Sequence, residues 1–181
     1  MNSWFLEQAR KGNVYHADTA TGKEVTTIHA THTGLTIENP YGSGKDLVME
    51  SVSFASSTLA AIAELGLGVG PNESTVVSAT TTAAVIHNAR LSGGDFGLGV
   101  AKAYEVATLS STPVWFEAMG SVRITGAVEG ARELTKHLDG TVIVAPGMYI
   151  CLMALTTART GLCSATWAEV DVLTEQEIAL L

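Results

Sequence analysis

From Glu24 onward the chain breaks into short runs rich in Val, Ile, Thr and aromatic residues, each ended by Gly, Asn, Pro or Ser. Such runs do not alternate with longer helical patterns, as a parallel α/β sheet would require. They specify an all-β fold of many short antiparallel strands, closed as a sandwich or barrel. The expected strands lie near 24–29, 33–38, 46–55, 74–79, 83–89, 102–109, 113–117, 122–125, 141–145, 147–155 and 163–172. The clearest alternation runs from Leu47 to Phe54, with Val48, Glu50, Val52 and Phe54 on one face and Leu47, Met49, Ser51 and Ser53 on the other. No internal repeat of roughly 20–50 residues is present, which argues against a propeller or solenoid.

Some stretches read differently. Residues 1–23 have the texture of an N-terminal arm: Trp4, Phe5 and Leu6 form an apolar patch, and Asp18–Lys23 is turn-like. An aromatic patch on an arm docks on its own domain or on a neighbour, so these three residues are the candidate partner-binding site. The sandwich domain is expected over 24–173 and a short C-terminal tail over 174–181, where Thr174-Glu175-Gln176-Glu177 has the form of a capping box. Residues 59–66 fit either a helix capped by Ser57 and stopped by Gly66, or a strand. Residues 126–138 fit a helical or loop excursion.

The chain has 181 residues, a net charge of −8 and a pI near 5.0, with no cluster of Lys and Arg. This argues against nucleic acid as a partner, since a phosphate-binding surface is basic. Membrane helices are not expected either: the longest apolar run, Val142–Leu155, is broken by Pro146-Gly147. Charged residues make up only 15% of the chain, against about 25% in an ordinary domain, so part of the surface is expected to be covered by other subunits. At the N-terminus basic residues follow the apolar patch instead of preceding it, unlike a signal peptide, so a cytoplasmic site of synthesis is expected. Cys151 and Cys163 then read as free buried thiols, although a hairpin between their segments would let them face each other.

Motifs for chemistry are weak. Gly42-Ser43-Gly44-Lys45 resembles a phosphate loop but lacks its first glycine (Asn39 stands there), and Asp46 replaces the hydroxyl residue after the lysine. A strand pattern follows where a helix is needed, so the stretch reads as a tight turn. His29 and His32 point to opposite faces of a strand and cannot share a metal without a bend. Gly66-Leu67-Gly68-Val69-Gly70 and Gly97-Leu98-Gly99 echo dinucleotide loops without the required context, and fit loops or strand ends. Gly-x-Ser-x-Gly is absent. Glu129, Glu133 and Asp139 read as a solvated loop face. No catalytic residue, metal or cofactor is expected.

Two segments carry a resemblance. "GLTIENPYGSGKDLVMESVSF" (34–54) is similar to a strand, Asn-Pro-x-Gly-Ser-Gly-Lys turn and strand found in structural proteins of tailed bacteriophages. "HLDGTVIVAPGMYICLMALTTARTGLCSATWAEV" (137–170) is similar to the end of the same domains, closing on Trp167-Ala168-Glu169. The resemblance implies an antiparallel jelly-roll-like β-sandwich and a capsid decoration, or cement, protein that stabilises the shell. It implies a virion location, host cytoplasm during assembly, and as partners the major capsid protein or other virion proteins and further copies of the chain, most simply as a trimer. Jelly rolls also occur in lectins, so a carbohydrate-binding module of a phage fibre is the alternative. Against it, aromatics are only 6% of the chain, and Trp115-Phe116 fits a core strand better than an exposed platform.

Overall fold

A computed structural model describes residues 3–56, 60–70, 73–91, 99–124 and 133–173. One helix, α1 (Ser3–Lys11), precedes thirteen described strands: β1 (Val14–Asp18), β2 (Lys23–Val25), β3 (Thr31–Glu38), β4 (Lys45–Ser56), β5 (Ala60–Gly70), β6 (Val77–Ala83), β7 (Val85–Asn88), β8 (Lys102–Leu109), β9 (Val114–Ile124), β10 (Glu133–His137), β11 (Ile143–Val144), β12 (Tyr149–Ala154) and β13 (Arg159–Asp171). One sheet runs β10-β4-β13-β1-β7, with β11 also on β4 and β2 on β13; the other runs β6-β8-β3-β12-β5-β9. Every described strand pairing is antiparallel.

The sheets pack face to face. Leu47, Met49, Phe54 and Trp167 from the first meet Leu35, Ile37, Leu65, Leu67, Ile150 and Leu152 from the second in one buried cluster. Each such side chain contributes about 1.5–3 kcal/mol on leaving water. The chain crosses between sheets from β3 to β4 and back from β11 to β12, and β12 lies between β3 and β5. The chain thus passes repeatedly between the two layers of an antiparallel β-sandwich.

The two crossings run side by side and are joined through Asn39, which is fully buried. Its Nδ2 donates to the carbonyls of Lys45 at 2.7 Å and Val144 at 2.8 Å, and its Oδ1 accepts from Ser43 Oγ at 2.6 Å. Its backbone N–H donates to Met148 O at 2.9 Å, and its carbonyl accepts from Gly147 N at 2.8 Å. Gly42 and Gly44 adopt φ of 74° and 70°, which lets the turn close around the amide.

The strands also correct the alternation expected for Leu47–Phe54. Thr166 pairs with Ser51 but Trp167 with Met49, so Glu50 is an extra residue in a β-bulge. The bulge reverses the parity of the strand. Val48 therefore faces out, beneath α1, whereas Val52 and Phe54 face the core.

Both outer faces are partly covered. Over the first sheet lies α1, stabilised by a Glu7–Lys11 ion pair at 2.6 Å and stopped by Gly12 at φ 82°. Phe5 packs there with Val14, Val48 and Ala168. The segment read as an arm is therefore part of the domain, and β1 is an interior strand paired with both β13 and β7. Its burial depends on partners more than 140 residues away, such as Tyr15 against Trp167, so no local pattern announced it. Residues 60–66, open between helix and strand, belong to β5. Strand β10 replaces the end of the loop or helix expected over 126–138, while Ser57 and the Thr174–Glu177 capping box lie outside the described residues.

On the second sheet, β5 presents Gly66, Gly68 and Gly70 outward. A Cβ on Gly66 would meet the Trp115 ring, on Gly68 the Met153 sulfur, and on Gly70 the Tyr149 ring. The glycine stretch is thus the end of a strand that makes room for large side chains, one of the two readings its sequence allowed. Tyr149 is held rigidly, with its hydroxyl donating to Ser111 O at 2.9 Å.

Two stability tests follow from the corner contacts. Asn39→Ala strands two buried carbonyls and a hydroxyl, and should cost about 2–4 kcal/mol in urea unfolding. Lys45→Ala, which removes only the surface pair to Asp171 at 2.7 Å, should change stability by no more than about 0.5 kcal/mol.

Candidate functional site

The residues singled out in the sequence do not converge. Gly42-Ser43-Gly44-Lys45 is a strand-to-strand turn, with Ser43 N donating to Pro40 O at 3.1 Å and Lys45 turned to Asp171. His29 is a surface residue whose Nδ1 accepts from Thr31 N at 3.0 Å. His32 is 1% exposed, with Nδ1 at 3.2 Å from Thr26 Oγ1. Glu133 lies at one end of β10 and Asp139 in the turn beyond its other end, at φ 48°. Glu129, Gly97 and Leu98 lie outside the described residues. Among the described residues no His, Cys, Asp and Glu group is arranged to hold a metal ion.

Cys151 and Cys163 are free and buried, but in opposite sheets, on β12 and β13. The hairpin that would have let them face each other does not form, because β12 and β13 join different layers. Burial pushes both thiols up to about 12, so neither is a thiolate at neutral pH.

Of the partner-binding candidates, Phe5 is 4% exposed within the chain's own packing, and Trp4 is half-buried and edge-on to it at 4.9 Å. Only Leu6, at 43%, stays open. Burial of Phe5 is the reason this patch is not available as a unit. Trp115-Phe116 lies on β9, the edge of its sheet, and not in the core; Phe116 is exposed with Val114 beside it. Three register shifts along β9 and β5 disrupt that edge and make it a poor template for further strands.

Other carboxylates are tied into the scaffold. Glu169 accepts from Val100 N at 2.7 Å, Ala101 N at 3.1 Å and the Trp167 indole at 3.3 Å. Glu105 pairs with Lys23 at 2.9 Å and accepts from Ala20 N at 2.7 Å. Lys136 reaches Glu117 at 2.6 Å, clasping β10 to β9 across the two sheets.

Two open recesses stand out among the described residues. On the first sheet, beyond α1, strand register aligns His87, His16, Thr166, Ser51 and His137 across the face, with Asp18, Ser164 and Ser53 in the next row. Part of this face is a shallow hollow of about 430 Å³. Burial lowers the pKa of His16, with Asp18 opposing the effect. On the second sheet an open cleft of about 500 Å³ lies between the 40–41 turn, the 74–81 segment and β8. Its floor holds Glu38, 6% exposed, which accepts from the Tyr104 hydroxyl at 2.7 Å. Burial raises the Tyr104 pKa and the Glu38 carboxylate adds to it, so the phenol stays a donor. Lys102 stands opposite Glu38 in register, and Tyr41 projects at the rim, 64% exposed. Sequence reading missed this cleft because its residues come from segments far apart in the chain.

Comparison with protein-family models, curated proteins and solved structures gives no match for this chain. Among the described residues no helix is long and apolar enough to cross a membrane.

His32 yields a pH prediction. Burial lowers its folded pKa to about 4, against 6.5 for a free imidazole. The unfolded chain takes up the proton first as pH falls, so stability is full above about 6.5 and declines down to about 4, by about 3 kcal/mol. In urea unfolding at pH 7 and pH 4, His32→Gln should lose less stability than the parent by a similar amount.

Proposed function

We propose that the chain is a non-enzymatic structural subunit that acts by binding other protein chains, and specifically a capsid decoration protein of a tailed bacteriophage. The observation that carries this reading is where the two phage-like segments lie. Residues 34–54 and 137–170 supply β4, β11, β12, β13 and most of β3, the middle of both sheets, and they meet at Asn39. The resemblance thus covers the part of the chain that makes the scaffold, and its turn residues are those the corner needs. Low charge and exposed apolar residues such as Val114, Phe116 and Leu162 support contact with further subunits. The partners are the major capsid protein and other copies of the chain, with a trimer as the simplest assembly.

Mass spectrometry of purified virions should find the chain with the capsid fraction, and sedimentation should give a trimer that rebinds stripped capsids. A chain that is absent from virions, or monomeric at high concentration and indifferent to capsids, would remove the proposal.

A further inference from the structure

We propose that the cleft beside the Asn39 corner binds an uncharged saccharide through Glu38, Tyr41, Lys102 and the hydroxyls of Ser74, Thr75 and Thr81. The volume, about 500 Å³, is in the range of small-molecule sites and suits a ligand of a few rings. The chemistry of the lining selects the class. Its charged side chains are one carboxylate, Glu38, and one ammonium, Lys102, which offset each other within a chain of net charge −8. A phosphate or sulfate would find no surplus of positive charge there. Ser74, Thr75 and Thr81 add neutral groups that both donate and accept, as a polyhydroxylated ligand requires.

The floor is built rather than incidental. Glu38 sits on β3 and is almost wholly buried, and the Tyr104 hydroxyl fixes its Oε2 at 2.7 Å. Its Oε1 has no hydrogen bond among the described residues and can accept from a sugar hydroxyl. Lys102, directly across from Glu38 on β8, supplies donors to a neighbouring sugar oxygen. Tyr41 is 64% exposed, and its ring offers a flat face for the C–H side of a pyranose. The adjoining turn is pinned by Asn39, so the cleft wall is set before any ligand arrives.

This inference is independent of the capsid proposal: virion mass spectrometry reads one and glycan binding the other. The test applies the full chain to an array of neutral hexose and N-acetylhexosamine oligosaccharides, with sialylated and uronic-acid glycans alongside. Neutral glycans should be retained. For a retained glycan, calorimetric titration should show Tyr41→Ala and Lys102→Ala each weakening affinity by about tenfold, with unfolding midpoints unchanged because both side chains are at the surface. Glu38→Gln should also weaken binding. No retention, retention of acidic glycans alone, or neutral-glycan affinity that both surface variants leave within about twofold would overturn the proposal.

Discussion

The sandwich depends on one buried amide. At Asn39 the chain leaves one sheet for the other, and at 144–148 it makes the return crossing alongside. Irregular backbone inside a protein must have its polar groups satisfied or it costs several kcal/mol. Asn is suited to the place because a single side chain carries two donors and an acceptor. It uses both donors on Lys45 and Val144 and its acceptor on Ser43. With the two corners locked together, the pairings of β3 with β12 and of β4 with β11 are in register, and the core side chains of both layers meet.

The outer faces follow from that arrangement. A sheet face is apolar only where something covers it. Beneath α1 the first sheet carries Val14, Val48 and Ala168; beyond the helix it carries Ser, Thr and His. On the second sheet three glycines admit Trp115, Met153 and Tyr149, and Tyr149 joins a second buried cluster with Val76, Ala107, Leu109 and Cys151. Groups with reactive potential are mostly turned into this scaffold: the thiols are held protonated by burial, and Glu105 and Glu169 fasten loops. The cleft at Glu38 and Tyr104 is where an ordered carboxylate instead meets open space.

Much of the fold was legible in sequence. Strand β8 falls where its alternation put it, and the 38–46 turn is read correctly from Asn-Pro and two glycines. The departures have physical causes. Strand β1 and helix α1 are stabilised by partners at the far end of the chain. The glycine stretch that ends β5 fitted a loop or a strand end alike, because nothing nearby in sequence reveals the rings it accommodates. The bulge at Glu50 breaks a regular alternation without any Gly or Pro to mark it. Of Trp4, Phe5 and Leu6, Phe5 is committed internally and Leu6 stays open, while the cleft residues had no spacing that could link them.

The sequence by itself determined the class of fold, the 38–46 turn and the weakness of the nucleotide and metal motifs, because each rests on local propensity or short spacing. Tertiary structure alone decided which face each strand buries, that the N-terminal segment joins the sheet, that the two cysteines lie in different layers, and that Glu38, Tyr41, Tyr104 and Lys102 share a cleft. These are outcomes of long-range pairing. In an antiparallel sandwich nearly every stabilising contact joins residues distant in the chain, and no local pattern encodes which of them will meet.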